Sequence, residues 1–117
     1  MVVAHRGASG EAPENTIPAF NLAWQQGADA IEGDFHLTKD GQVVCIHDAN
    51  TIKAAGKNLV VKNTTLAELK KLDVGIKKGP AFEGTSIPTI GEVFETIPEK
   101  KRSILKSSVG LKLFHSC

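Results

Sequence analysis

The sequence has almost no excess of charge of either sign: 14 Lys and Arg stand against 13 Asp and Glu, a formal +1 with the four histidines neutral. That balance excludes a basic stripe for nucleic acid and a polybasic membrane anchor. Long apolar runs are also missing. Stretches such as residues 59–61 are too short to span a bilayer or to form the hydrophobic region of a secretory leader near Met1, so a cytoplasmic setting is expected. Cysteine is scarce. Cys45, inside an apolar run, and Cys117, at the last position, match no metal-ligand spacing and no disulfide framework; a buried thiol and a frayed terminus are expected. Repeats and low-complexity tracts are absent, and 117 residues of ordinary globular composition suit a single core.

Short apolar runs alternate with helical patterns, which predicts βα units around a largely parallel sheet. Residues 2–5 read as a first strand, and residues 6–14, with two glycines and a proline, as a loop. Asn15 or Thr16 can cap a helix running to about Gln26, with Pro18 in its first turn and Gly27 as its stop. Phe20, Ala23 and Trp24 share one face of that helix, a core pattern. A second strand over 29–37 and an extended segment over 42–47 flank Thr38-Lys39-Asp40-Gly41, a hairpin signal. Centring the turn between Lys39 and Asp40 pairs Glu32 with His47 and Asp34 with Cys45. A one-residue slip would change those pairs but would still return His47 to the neighbourhood of both acids. Thr65-Leu66-Ala67-Glu68 and Thr89-Ile90-Gly91-Glu92 have the form of capping boxes. They open helices ending near Leu72 and Ile97, with residues 75–88 as a long loop between them.

Four groups of residues bear chemistry. His5-Arg6-Gly7 puts an imidazole beside a planar guanidinium that suits two phosphate oxygens, where the chain leaves a strand; the alternative is a solvated surface pair. Glu32-Gly33-Asp34 places two carboxylates on one strand face about 7 Å apart, hard oxygen ligands that suit Mg²⁺ or Ca²⁺, or else a solvent-facing acidic pair on an edge strand. His47-Asp48 closes an apolar run; alone it reads as a structural histidine, but beside Glu32 it becomes a candidate acid or base. Glu14 precedes the helix cap and is not needed for capping. Two histidines near a carboxylate pair and an arginine make a minimum kit for metal-assisted cleavage of a phosphoester. His36 and His115 lack such company and read as surface residues.

Together, Ala4-His5-Arg6-Gly7-Ala8-Ser9-Gly10, Pro13-Glu14-Asn15-Thr16, Ala30-Ile31-Glu32-Gly33-Asp34, Leu37-Thr38-Lys39-Asp40-Gly41, Ile46-His47-Asp48 and Ile87-Pro88-Thr89 resemble the glycerophosphodiester phosphodiesterase family. The resemblance implies an α/β fold, the N-terminal part of a TIM (β/α)8 barrel with a β-hairpin extension after strand 2, and hydrolysis of a glycerophosphodiester to an alcohol and glycerol 3-phosphate. It implies His5 and His47 as the acid/base pair, Arg6 on the phosphate, Glu14 lining the pocket, and Glu32 and Asp34 on a divalent metal ion, Mg²⁺ or Ca²⁺. The implied partner is a small glycerophosphodiester.

Two departures from the family pattern stand out. Gly91 occupies a position usually acidic. The third barrel strand should carry Glu-x-Lys, its glutamate completing the metal site, yet the chain reads Ile104-Leu105-Lys106-Ser107-Ser108-Val109-Gly110. If residues 105–110 are encoded TTG AAA TCA AGT GTG GG after an A, reading one base earlier gives Ile-Glu-Ile-Lys-Cys-Gly, the missing strand. Residues 1–102 are therefore expected to be the N-terminal part of the barrel, and 103–117 an aberrant, frame-shifted tail. Such a barrel takes about 250 residues, and this chain holds material for roughly three of its eight strands. An inactive remnant, or a fragment that binds metal or phosphate weakly, is the alternative expectation.

Overall fold

A computed structural model describes residues 3–98 and 109–114. Among these, one sheet is organised around the eight-residue strand β2 (Ala30–Leu37). β1 (Val3–His5) lies parallel to its first half, with Val3 opposite Ala30 and His5 opposite Glu32. A hairpin strand, β3 (Val43–Cys45), lies antiparallel along its second half, on the same edge as β1. The opposite edge is paired in parallel by β4 (Val109–Phe114), Ile31 facing Val109 and His36 facing Phe114. Within the tail expected to be out of frame, six residues thus form a strand. The rest of that tail, His115 and Cys117 included, lies outside the described residues.

The hairpin register differs from expectation by one residue. Phe35 pairs with Cys45, and the Ile46 N–H donates to the Asp34 carbonyl at 2.9 Å, so neither expected pair, Glu32 with His47 or Asp34 with Cys45, forms. The cause is the turn. Thr38 N–H donates to Gln42 O at 2.8 Å and Gly41 N–H to Thr38 O at 3.1 Å, which closes a three-residue loop with Gly41 at φ +79°. This is the type I turn followed by a left-handed residue, one residue longer than a two-residue turn. The Asp40 carboxylate holds it by accepting from the Thr38 hydroxyl at 2.5 Å and from Leu66 N–H at 3.1 Å.

Helix α1 (Ile17–Gln25) starts at Thr16, whose hydroxyl accepts from Ala19 N–H, and stops before Gly27 at φ +86°. Its inner face buries Phe20 and Ala23 against Ile31, Phe35 and Cys45 of the sheet. Trp24 is only partly buried, and its indole N–H donates to Thr96 Oγ1 at 3.0 Å, fastening α1 to the segment after α4 (Ile90–Glu95). A second cluster of Val44, Ile46, Val61, Leu69 and Ile87 roots the segment between β3 and α4 onto the hairpin. That segment contains α2 (Ile52–Ala55), α3 (Leu66–Leu69) and single 3₁₀ turns at Val61–Asn63 and Pro80–Phe82. These elements span about one turn each, too short to leave a periodic signature.

The two threonine-capped helices are shorter than expected. Past the C-caps of α3 and α4 the chain continues in i→i+3 bonds, Leu72 N–H to Leu69 O and Ile97 N–H to Phe94 O, both at 3.1 Å. The Thr89 box is complete: Glu92 N–H donates to Thr89 Oγ1 and Thr89 N–H to Glu92 Oε1. At α3 the reciprocal half is replaced, because Glu68 Oε1 accepts the Thr65 hydroxyl instead.

Candidate active site

The pleat of β2 separates two sets of side chains. Ile31 and Phe35 pack toward α1, so Glu32, Asp34 and His36 lie on the other face. The two carboxylates therefore share a face, as alternation requires. Asp34 is 1 % exposed. His36, read from sequence as a surface residue, is buried at 3 % exposure: the chain after β3 covers this face, and His36 Nε2 lies 3.1 Å from His47 O.

The loop after β1 brings a cation to Asp34. Arg6 N–H donates to Glu32 O at 2.6 Å, continuing the β1–β2 ladder one residue beyond His5, and Arg6 then takes a left-handed φ of 59°. Gly7 follows at φ +78°, where a Cβ would come within 2.7 Å of the Ala19 carbonyl carbon; no larger residue lets the loop pass so close to α1. The result is Arg6 Nε 2.9 Å from Asp34 Oδ2 and Arg6 Nη1 3.5 Å from Glu14 Oε1.

Asn15 completes this knot. By residue type Asn15 is a helix cap, but Thr16 takes that role, and Asn15 is 2 % exposed at φ 60°. Asn15 N–H donates to Arg6 O at 2.9 Å, its Oδ1 accepts from Asp34 N–H at 3.1 Å, and its Nδ2 donates to Asp34 Oδ2 at 3.2 Å. Cys45 Sγ–H also donates to Asn15 Oδ1, at 3.3 Å. Burial, and after it the Asp34 charge, push the Cys45 thiol well up, which keeps it a protonated donor. The usable signal for Asn15 was two adjacent capping residues for one helix, the first being of the type that tolerates a left-handed backbone.

His47 stands in the bend after β3, partly exposed, with Nδ1 3.0 Å from Asp48 Oδ1. That contact favours the tautomer with its proton on Nδ1 and leaves Nε2 to act as base or, once protonated, as acid. His47, Asp48, Glu14 and Asn15 line a cavity of about 250 Å³, and Lys53, Lys77 and Lys78 are also part of its wall. Arg6, Glu32 and Asp34 are not part of its wall. The fold thus joins Arg6, Glu14, Asn15 and Asp34 in one contact network and His47 with Glu14 in one cavity. His5 ends β1 at the register position of Glu32. Among the described residues no three His, Cys, Asp or Glu side chains gather within reach of one metal ion.

Residues 5–109 match the glycerophosphoryl diester phosphodiesterase family. The chain belongs to that family. It is 53% identical over 100 residues to a glycerophosphodiester phosphodiesterase of Caldanaerobacter subterraneus, a match covering 86% of this chain and 41% of that one. It is 45% identical over 103 residues to a lysophospholipase D of Rattus norvegicus, covering 83% and 33%. Among solved structures, an Oleispira antarctica phosphodiesterase in complex with the product sn-glycerol-3-phosphate superposes with a TM-score of 0.88 at 39% identity, covering 99% of this chain and 45% of that one. A glycerophosphodiester phosphodiesterase of Agrobacterium tumefaciens does so at 0.83 and 33%, covering 96% and 46%. The chain spans less than half the length of these relatives. Its fold is the N-terminal part of their TIM barrel, with β3 as the hairpin extension after the second barrel strand. Among the described residues no helix is long and apolar enough to cross a membrane.

Proposed function

We propose that this chain carries the phosphate-binding and acid/base groups of a glycerophosphodiester hydrolase, releasing an alcohol and glycerol 3-phosphate in a cytoplasmic setting. The observation that supports the reading most is the Arg6–Asp34 pair, formed between the residue that leaves β1 and a buried carboxylate on the face of β2 turned away from α1, in a chain matching the family over residues 5–109. Arg6 binds the phosphoryl oxygens, which its fork can meet two at a time. One of His5 and His47 takes a proton from the attacking hydroxyl or water as the new P–O bond forms. The other gives a proton to the leaving alkoxide as the old P–O bond breaks. Glu14 tethers Arg6 and lines the pocket.

Two hard carboxylates on one face fit Mg²⁺ or Ca²⁺ better than zinc, and Glu32 and Asp34 would hold such an ion. When bound, the ion supplies positive charge against the charge growing on the phosphoryl oxygens. Release of glycerol 3-phosphate from glycerophosphoglycerol tests the proposal. The expected result is a bell-shaped pH profile, loss with a chelator, and a drop of about 10²–10⁴-fold in His5→Ala and in His47→Ala. Undiminished release by the double variant overturns it.

A second reading is a chain that binds metal or phosphate without turnover. It is favoured by the lack, among the described residues, of a third group to join Glu32 and Asp34. Well-dispersed amide resonances with no product release would support it, and turnover would end it. We also propose that the chain from about Ser103 is read out of frame. Sequencing the gene across codons 100–106 tests this, and a frame that no single-base change restores to Glu-x-Lys removes it.

A further inference from the structure

The cavity beside His47 holds more positive charge than the phosphate chemistry uses. Lys53 on α2, and Lys77 and Lys78 in the loop after α3, share its wall with His47, Glu14 and Asp48. Both acids are already engaged, Glu14 with Arg6 at 3.5 Å and Asp48 with His47 at 3.0 Å. Among the described residues, none of the three lysines has a carboxylate within 4.0 Å. Two of them are nonetheless docked. Lys77 Nζ donates to Ile52 O at 3.3 Å and Lys53 O at 3.1 Å, and Lys78 Nζ donates to Ser9 O at 3.0 Å, linking the segment after β3 to the loop after β1. An ammonium has three donors, so these bonds leave capacity on both lysines, and docking removes much of the side-chain entropy that binding would otherwise cost. Three cations focused in one concavity attract a further anion and repel a cationic group.

We propose that this cavity receives the alcohol half of the substrate and selects alcohols that carry an anionic group, a carboxylate or a phosphate, over neutral or cationic ones. The inference rests on the reading of His47 as the residue beside the scissile bond and adds to it the class of diester preferred. Lys53, Lys77 and Lys78 are then specificity-determining residues, supplied by the segment between β3 and α4.

Three glycerol-phosphate diesters of a two-carbon alcohol isolate the effect, differing only in the far end: hydroxymethyl, carboxylate, or phosphate monoester. Each is made with the scissile oxygen replaced by CH₂, so that turnover cannot deplete it, and titrated calorimetrically into the full chain. The expected result is that both anionic compounds bind about five- to tenfold tighter than the neutral one, with the preference shrinking as salt is raised. In Lys77→Met/Lys78→Met the preference falls below twofold. Lys53→Met, which removes no bond made by its ammonium to a described residue, narrows it on its own and serves if the double variant does not fold. Equal binding of all three compounds by the parent chain overturns the selection and leaves the proposed hydrolase standing. A preference that survives the lysine variants overturns its assignment to these residues. Failure of all three compounds to bind overturns the site reading itself.

Discussion

Asn15 grips Asp34 by two bonds, taking the Asp34 backbone N–H on Oδ1 at 3.1 Å and giving its own amide N–H to Asp34 Oδ2 at 3.2 Å. One side chain thereby ties both the strand and its carboxylate to the loop that carries Arg6. A buried carboxylate needs such partners, since the charged form is otherwise expensive away from water.

Replacing Asn15 therefore has two separable costs. Asn15→Ala strands the Asp34 N–H and forces an alanine to φ 60°, for an expected loss of about 2–4 kcal/mol in urea unfolding. Asn15→Gly should recover about 1 kcal/mol of that, because glycine accepts the backbone but cannot make the bonds. Equal stabilities for the two variants would show that the left-handed backbone costs nothing here.

Gly7→Ala should destabilise by about 2–4 kcal/mol, through overpacking against Ala19 and a positive φ. Thermal or urea unfolding reads this directly, and a neutral outcome would mean that the loop can back away from α1.

Asp73 contributes to acid stability in the loop after α3. Its carboxylate accepts N–H bonds from Gly84 at 2.8 Å, Gly75 at 2.9 Å and Ile76 at 3.0 Å, and these, the Gly84 bond foremost, hold its pKa below the ordinary 3.8. A depressed carboxylate contributes stability that is present above the unfolded value and lost as pH falls through the folded one. Urea midpoints for the parent chain should begin to fall as pH approaches the unfolded value of 3.8 and go on falling below it, and Asp73→Asn should flatten that limb. An unchanged slope in the variant would assign the acid limb to other carboxylates.

Cys45 is 2 % exposed with its pKa pushed well up from 9.0, so the folded chain should present an inert thiol. In a Cys117→Ser background, a thiol-specific reagent at about pH 8 should label Cys45 only at the rate of unfolding, and urea should accelerate it. Because the unfolded thiol ionises and the folded one does not, the same group lowers stability as pH rises above 9.0. Immediate labelling without denaturant would contradict the packing around Asn15.

The elements visible in the sequence were those specified by neighbours along the chain. Thr16, Pro18 and Gly27 bracket α1, the apolar face of Phe20 and Ala23 is buried as its spacing implies, and the alternation of Glu32 with Asp34 puts both acids on one face. The hairpin was legible but its register was not. An Asp-Gly pair does not by itself reveal whether two or three residues make the turn, and that choice is settled by Asp40 bonding across to Leu66. His36 was misplaced for a related reason: nothing local says that the chain after β3 folds back over the inner face of β2.

What the amino-acid order determined, then, was everything with a short period: strand faces, helix caps, the turn glycine, and the residue types able to hold phosphate and move protons. What only the tertiary structure decided was convergence. Asn15 became a partner of Asp34 rather than a cap, and Lys53, Lys77 and Lys78 came to share one cavity with His47, because those meetings depend on loop paths closed by contacts between distant segments. Local propensity carries no information about such paths until the chain has packed.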